Sequence, residues 1–138
     1  MNDHKFEHDY FKEKHFAGLQ GYDLLTKLNL WRPRKYRDLI LQHATSNHKT
    51  LLDIGCAFGH FLEILKDDFE INGMDISEHA IKVARSRLKC ELKKCDIEKE
   101  GIPFNKKFDI ISMLSVLEHL SEPKKALESI YEHLNTDS

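Results

Sequence analysis

The sequence lacks several features that would point to particular protein classes. Its three cysteines, Cys56, Cys90 and Cys95, form no C-x-x-C pair, so neither a disulfide framework nor a zinc site is expected. No apolar run is long enough to span a membrane, and the charged first residues leave no room for the apolar core of a signal peptide. The formal net charge of −2 provides no general attraction to nucleic acid or anionic lipid. These absences predict a cytoplasmic protein without a membrane partner and disfavour a nucleic-acid partner.

Regular strand patterning begins only after the first third of the chain. Residues 1–49 are polar and helical in pattern, and we expect an N-terminal helical cap in which Tyr36, Leu39, Ile40 and His43 share one face. The remainder, residues 50–138, is expected to form the core of the same structural domain. It contains predicted strands at 50–54, 69–76, 90–97 and 108–114, helices near 59–67, 78–88 and 123–134, and an irregular connection at 97–107. Such alternation is typical of an α/β domain with a parallel sheet covered by helices on both faces.

A glycine-containing turn, DIGCAFG, joins the first predicted strand to the helix that follows. Gly55 and Gly59 lie where the apolar run changes to helical spacing, and glycine tolerates a backbone that turns sharply or lies against a ligand. A phosphate-binding P-loop is excluded, because His60 and Phe61 follow the second glycine in place of lysine and serine or threonine. A dinucleotide fingerprint fits poorly, since Ala57 and His60 occupy its other two glycine positions.

An acidic residue accompanies each of the first two strand ends. Asp53 lies near the end of the first strand, and Asp75 follows Gly55 by 20 residues at the end of the second. A carboxylate at the second position can accept hydrogen bonds from both hydroxyls of a ribose. The pattern therefore predicts a ligand that contains ribose but no pyrophosphate.

At these residues the chain resembles the class I S-adenosylmethionine-dependent methyltransferases, in the branch that methylates small molecules. DIGCAFG is similar to the family's first motif, with Ala57 at its middle glycine. MDIS at 74–77, CDIEKEGIPF at 95–104 and FDIISMLSVLEHLSEP at 108–123 resemble three further motifs in order and spacing. The resemblance covers residues 50–134. It implies a Rossmann-like sheet of order 3-2-1-4, with the cofactor at the crevice between strands one and four.

The resemblance also implies which residues hold S-adenosylmethionine and its product, S-adenosylhomocysteine. Amides of the glycine turn would face the methionine carboxylate. Asp75 would accept from the ribose beside Ile76, and Asp96 would accept from the adenine amino group beside Ile97. The cofactor-binding candidates are Asp53, Gly55, Cys56, Ala57, Gly59, Asp75, Ile76, Asp96 and Ile97, then Met113 and Leu114 near the sulfonium, and Tyr22, Trp31 and Arg34 in the N-terminal cap.

Simpler roles remain open for several candidates. Asp53 can support the glycine turn instead of a ligand, Cys56 can be a small core filler, and the WRPRKYR run can be a solvated helix start. His119 is the candidate general base, because its reference pKa of about 6.5 suits proton transfer near neutrality. The alternative is that His119 serves mainly as a structural part of the loop after strand four.

The acceptor is expected to be a small molecule, such as a phenol, a quinone precursor, a carboxylate or a sugar. The loop SMLSVLEHL lacks both the Pro-Pro-aromatic segment typical of amino methylation of nucleobases and the Pro-Cys nucleophile of pyrimidine C5 methylation. No metal is expected, because Ser115 stands where metal-dependent RNA methyltransferases place their first glutamate ligand. A non-catalytic S-adenosylmethionine-binding module and an NAD-dependent oxidoreductase remain as alternatives.

The family's fold has seven strands, whereas this sequence stops after the helix that precedes strand five. We therefore expect a four-stranded sheet that is incomplete relative to the family and retains cofactor binding. Part of the acceptor wall would be absent, so little turnover is expected. The outer edge of strand four would be open, which favours self-association there.

Overall fold

The computed structural model of the protein describes residues 31–136. Its first element, helix α1, spans Trp31–His43. The others are, in chain order, β1 Thr50–Ile54, α2 His60–Leu65, β2 Glu70–Asp75, α3 Glu78–Arg87, β3 Glu91–Lys94, α4 Ile97–Glu100, β4 Ile110–Met113, a 3-10 helix at Leu117–His119 and α5 Pro123–His133. No helix in this part of the chain is long and apolar enough to cross a membrane.

The four strands form one parallel sheet in the order β3-β2-β1-β4, which confirms the predicted order. β1 is central, so that Asp53 pairs with Gly73 of β2 on one side and with Ser112 of β4 on the other. The direction of strand progression reverses between β1 and β4. In open α/β sheets a crevice forms at such a reversal, outside the carboxyl ends of the strands.

Alternate side chains of the strands pack against helices on both faces of the sheet. On one face, Leu51 and Ile71 belong to a buried cluster that α2 and α3 complete. On the other face, Leu52 and Met74 pack with α4, α5 and residues 101–108. Burial on both faces explains why adjacent residues such as Leu51 and Leu52 of β1 are both apolar.

The segment after β3 differs from its predicted conformation. Residues 97–107 were expected to be irregular, and that prediction was wrong at the start, where α4 forms. The Asp96 side chain caps α4 by accepting from the Glu98 N–H, and Gly101 ends it with a φ of 70°. A four-residue helix is too short to produce a hydrophobic period, which is why the pattern did not reveal it.

Helix α1 contacts the core through a narrower face than predicted. Ile40 packs against the buried cluster, and the Tyr36 ring meets a ring of α2 edge-on at 6.5 Å. Leu39, expected on the same face, is 53% exposed. The helix is also anchored by Arg37, which donates to the two carboxylate oxygens of Asp68 at 2.8 and 3.1 Å. The WRPRKYR run is therefore more than a solvated helix start.

After α5 the chain returns to the sheet beside β4. Phe108, just before β4, forms a parallel bridge with Leu134. The Phe108 N–H donates to the His133 carbonyl at 2.8 Å, and the Asn135 N–H donates to the Phe108 carbonyl at 2.9 Å. The outer edge is therefore paired where the chain enters β4, while Ile110–Met113 pair only with β1 within the residues described.

Candidate cofactor-binding site

The turn between β1 and α2 has an unusual backbone. Gly55, Ala57 and Gly59 have φ angles of 76°, 47° and 78°, all in the left-handed region. Glycine adopts such angles at no steric cost, whereas the Ala57 angle is uncommon for a residue with a Cβ. This alternation lets the turn fold back tightly over the carboxyl ends of β1 and β2.

The turn uses most of its own amides to hold itself on β2. The N–H groups of Gly55 and Cys56 both donate to the Met74 carbonyl, at 2.8 and 3.0 Å. The Ala57 N–H donates to Asp75 Oδ2 at 2.8 Å. The resemblance implied that such amides face the methionine carboxylate of the cofactor. These three point into the protein instead, because the turn closes on the neighbouring strand.

Side-chain packing explains the glycines and Cys56. A Cβ on Gly55 would lie 2.2 Å from Val116 Cγ2, and one on Gly59 would lie 2.6 Å from a Leu88 methyl group. Cys56 is buried in the core, where burial raises the pKa of its thiol well above the usual value. A thiol in that state is not a nucleophile near neutral pH, which favours the role of a small core filler for Cys56.

Asp75 closes β2 and accepts two backbone hydrogen bonds. Besides the Ala57 amide on Oδ2, the Ser77 N–H donates to Oδ1 at 2.9 Å. Ser77 is also the N-cap of α3, where its hydroxyl accepts from the Ala80 N–H. A carboxylate oxygen can accept more than one hydrogen bond, so these two amides do not exclude ribose hydroxyls. The two amides therefore fix the orientation of the Asp75 carboxylate.

Asp53 is buried between β1 and β4. Ser112 donates its hydroxyl to Asp53 Oδ1 at 2.7 Å. Burial raises the pKa of Asp53 to about 7, the Ser112 hydrogen bond opposes that rise, and the negative charge of Asp75 adds to it. This position, beneath the turn and partnered by Ser112, favours a structural role for Asp53.

Asp96 lies beside Asp75 at the same edge of the sheet. A backbone hydrogen bond joins the two segments, since the Cys95 N–H donates to the Asp75 carbonyl at 2.9 Å. The Asp96 carboxylate is 2% exposed, and its Oδ1 accepts from the Glu98 N–H at 3.0 Å. Its Oδ2 is covered, yet no group in residues 31–136 donates a hydrogen bond to it. A buried acceptor without a donor is rare and fits the predicted amino group of an adenine.

The remaining candidates are spread around this edge. Ile76 is partly exposed after β2, whereas Ile97 is buried in the core. Met113 and Leu114 pack on opposite faces of the sheet, so they do not form one surface. His119 is exposed in the 3-10 helix, and Arg34 is exposed on α1. Tyr22 and the Trp31 side chain lie outside the described part of the protein.

Three residues near the site were not singled out in the sequence. Ser112 binds Asp53, Val116 packs on Gly55, and Lys99 lies 3.1 Å from Asp96 Oδ2. The first two contacts join β1 to β4 across 59 residues or more and leave no local pattern. The sequence did contain a signal for Lys99. Asp96 as an N-cap and Gly101 as a stop indicate a short helix, and Lys99 then lies one turn after Asp96. Residues 31–136 contain no group of three His, Cys, Asp or Glu side chains placed to hold a metal ion.

Comparison with known proteins identifies the family. Residues 28–138 match the family described as methyltransferase domain. A ubiquinone biosynthesis O-methyltransferase from Azoarcus sp. (strain BH72) is 29% identical over 98 residues, which cover 67% of this chain and 42% of that protein. This chain therefore spans less than half the length of that curated relative.

Solved structures agree with the family match. Streptomyces venezuelae DesVI is 28% identical with a TM-score of 0.71, covering 85% of this chain and 52% of that one. An S-adenosylmethionine-dependent methyltransferase from Clostridium acetobutylicum ATCC 824 is 25% identical with a TM-score of 0.72 over the same shares. The four-stranded sheet matches the corresponding part of these folds. The chain belongs to the class I S-adenosylmethionine-dependent methyltransferases.

Proposed function

We propose that this chain supplies the cofactor-binding part of an enzyme that methylates a small molecule, with Asp75 and Asp96 holding the adenosyl group of S-adenosylmethionine. The observation that carries the proposal is the pair of buried carboxylates at adjoining strand ends, one of which has a covered oxygen without a hydrogen-bond donor in the described residues. In parallel α/β sheets this edge is where nucleotide-like ligands bind. Asp75 would accept from the ribose, and Asp96 Oδ2 would accept from the adenine amino group.

The protein's own task in this reaction is positioning. A sulfonium already supplies an activated methyl group, which passes to the acceptor atom as the sulfur–carbon bond breaks. The carboxylates would orient the adenosyl group, with Asp75 held by the Ala57 and Ser77 amides and Asp96 held by the Glu98 amide. Holding the acceptor about 3 to 3.5 Å from the methyl group can account for several kcal/mol of the barrier.

The acceptor we propose is a hydroxyl group on a small molecule. This rests on the name of the Azoarcus relative, an O-methyltransferase of ubiquinone biosynthesis. A phenol is the member of this class that best suits a histidine base, because its pKa of about 10 is near enough to that of imidazole for proton transfer. His119 would take that proton, since it follows β4 at the crevice and is exposed to an incoming acceptor.

Two further properties belong to the same proposal. A cytoplasmic location agrees with the three free cysteines, because a reducing compartment keeps thiols unpaired. Self-association through β4 agrees with the one-sided pairing of Ile110–Met113 in the described sheet. Tyr22, Trp31 and Arg34 stay proposed contacts of the cofactor, as the resemblance implies.

Calorimetric titration with S-adenosylhomocysteine tests the proposal without knowledge of the acceptor. We expect the wild-type chain to bind it and Asp75→Ala to weaken binding by about 1.5 to 3 kcal/mol, the usual value for hydrogen bonds to a charged group. The same substitution deprives the Ala57 and Ser77 amides of their acceptor, so thermal unfolding must show that the variant is folded at the titration temperature. Asp67→Asn, an exposed change of the same charge, should bind like wild type.

The outcome of this titration also decides between the alternatives. Binding of NAD but not of S-adenosylhomocysteine would contradict the cofactor assignment. Equal affinity in wild type and a folded Asp75→Ala variant would contradict the ribose assignment. If S-adenosylhomocysteine binds, transfer of labelled methyl groups to a pool of metabolites separates an enzyme from a non-catalytic binding module.

A further inference from the structure

The covered oxygen of Asp96 has a charged neighbour. Lys99 Nζ lies 3.1 Å from Asp96 Oδ2, which is within ion-pair distance. Its alignment does not make a hydrogen bond, so Oδ2 still lacks a donor among the described residues. The Lys99 ammonium therefore lies against the one oxygen that the proposed adenine amino group needs.

The surrounding hydrogen bonds leave Asp96 little freedom to turn its other oxygen toward a ligand. Oδ1 accepts from the Glu98 N–H at 3.0 Å, and the Asp96 N–H donates to Glu100 Oε1 at 3.1 Å. Rotating the carboxylate would break the side-chain cap of α4. Oδ2 is therefore the oxygen available to a ligand, and a group that meets it must contend with the ammonium.

Lys99 is the mobile member of the pair. Its side chain is 57% exposed, whereas that of Asp96 is 2% exposed. A lysine ammonium is a point charge on a flexible four-carbon stem, so it can leave Oδ2 for solvent without disturbing the backbone. Moving Lys99 costs the ion pair, whereas moving Asp96 would disrupt a buried helix cap.

We propose that Lys99 competes with the adenine amino group for Asp96 Oδ2 and thereby sets the cofactor affinity of this site. This inference rests on the proposed adenine contact of Asp96. Oδ2 has almost no exposed surface while the ammonium lies 3.1 Å from it, so an amino donor has to displace the ammonium to reach this oxygen. Because one partner of the pair is largely exposed, its contribution is modest and the competition should change affinity by about two- to fivefold.

Three variants isolate this competition. Lys99→Met removes the charge but keeps an unbranched side chain, and we expect its dissociation constant for S-adenosylhomocysteine to be about two- to fivefold lower than that of wild type. Lys99→Arg keeps the charge and should bind within twofold of wild type. Lys107→Met removes the charge of another exposed lysine, which lies before β4 at the opposite end of the strands. This variant should also match wild type. Calorimetry measures each constant directly.

A second ligand tests whether the effect belongs to the amino group. S-inosylhomocysteine has a carbonyl oxygen in place of the adenine amino group, so it offers an acceptor that Lys99 can favour. Lys99→Met should therefore bind it no more tightly than wild type does. In an Asp96→Asn background, Lys99→Met should no longer increase affinity for S-adenosylhomocysteine, because the carboxylate that attracted the ammonium is gone.

Each result has a defined meaning for the inference. Equal or weaker binding of S-adenosylhomocysteine by Lys99→Met, or tighter binding that persists in the Asp96→Asn background, would overturn the competition. The competition can fail while the proposed function holds. That is the result if wild type binds S-adenosylhomocysteine and Asp75→Ala weakens that binding. If wild type fails to bind S-adenosylhomocysteine, the proposed cofactor site and the competition both fail.

Discussion

At the scale of single residues, the buried carboxylates near the site differ in what supports them. Asp75 accepts from two backbone N–H groups, whereas Asp53 accepts from one hydroxyl, that of Ser112. Hydrogen bonds from amides stabilise a carboxylate, while burial destabilises its charged form. At Asp53 burial outweighs the hydrogen bond from Ser112, so the pKa of this carboxyl rises to about 7 in the folded protein.

This difference predicts how Asp53→Asn changes stability with pH. The folded-state pKa of Asp53 is raised from 3.8 to about 7, so wild type loses stability from this group as pH rises from about 4 to 7. Asparagine stays neutral and can still accept from Ser112. We expect the stability advantage of Asp53→Asn over wild type to grow by about 2 kcal/mol between pH 5 and pH 8.

Urea unfolding followed by circular dichroism at pH 5, 6, 7 and 8 measures this change. Asp67→Asn, at an exposed position in the turn after α2, should show no comparable growth. A stability difference between Asp53→Asn and wild type that stays constant from pH 5 to pH 8 would mean that Asp53 does not titrate in this range.

At the scale of secondary-structure elements, the alternation of strands and helices was predictable and the contacts between them were not. Strand β1 was predicted with its observed bounds, because TLLDI, with three apolar residues before a glycine turn, is typical of a buried strand. The outcome for Gly55 was different. Its left-handed φ of 76° agrees with the predicted glycine turn, but its close approach to Val116, a residue of the loop after β4, leaves no local pattern in the sequence.

The same limit explains the turn amides. From sequence alone, amides before a helix are expected to face an anion. In the fold, these amides instead donate to the Met74 carbonyl and the Asp75 carboxylate. Asp75 and Asp96 were predictable as candidates because Asp75 ends β2 and Asp96 follows the end of β3 by two residues. That position is fixed by topology and needs no knowledge of side-chain packing.

One carboxylate joins three elements at the other end of the sheet. Asp109, just before β4, accepts from the backbone N–H groups of Lys49 and Thr50, from the Thr50 hydroxyl, and from the Asn135 side chain. Burial acts to raise the pKa of Asp109, but these hydrogen bonds outweigh it and lower the pKa to about 2. Asp109 thereby connects β1, β4 and the segment that follows α5.

We expect Asp109→Asn to lower the free energy of unfolding by about 1 to 2 kcal/mol at pH 7, because hydrogen bonds to a charged acceptor are lost. The folded-state pKa of Asp109 is depressed, so its contribution is complete above about pH 4 and is lost as pH falls toward 2. The difference between wild type and the variant should therefore persist at pH 5 and shrink below pH 4. Chemical denaturation across this range measures it.

An exposed carboxylate provides the comparison for Asp109. Glu132→Gln, on the solvent-facing side of α5, should change stability little at any of these pH values. An Asp109→Asn variant as stable as wild type at pH 7 would mean that the connection between β1, β4 and the segment after α5 does not depend on the carboxylate charge.

At the scale of the whole molecule, the two edges of the described sheet differ in character. The β3 edge has Glu91, Lys93 and Lys94 in a four-residue strand, and Glu91 and Lys93 form an ion pair at 3.0 Å. The β4 edge is Ile110–Met113, without a charged residue. Charged side chains discourage pairing between edge strands, so β3 is protected and β4 is not.

The pairing around Phe108 sets where association can begin. The backbone N–H and carbonyl of Phe108 are already hydrogen-bonded, to His133 and Asn135, in its bridge to Leu134. An incoming strand therefore has to pair with Ile110–Met113 itself, toward the carboxyl ends. Exposed Leu127 and Tyr131 on α5 add apolar surface to the chain and also favour association.

We expect the 138-residue chain to associate reversibly through β4, with its weight-average mass rising as concentration rises in light scattering. Hydrogen–deuterium exchange at low and high concentration locates the contact, because backbone amides that pair across an interface are protected. Amides of Ile110–Met113 should exchange more slowly at high concentration, while those of Glu91–Lys94 serve as the internal control and should not change. A monomer at all concentrations, or protection at β3 equal to that at β4, would show that the apolar edge of β4 does not drive association.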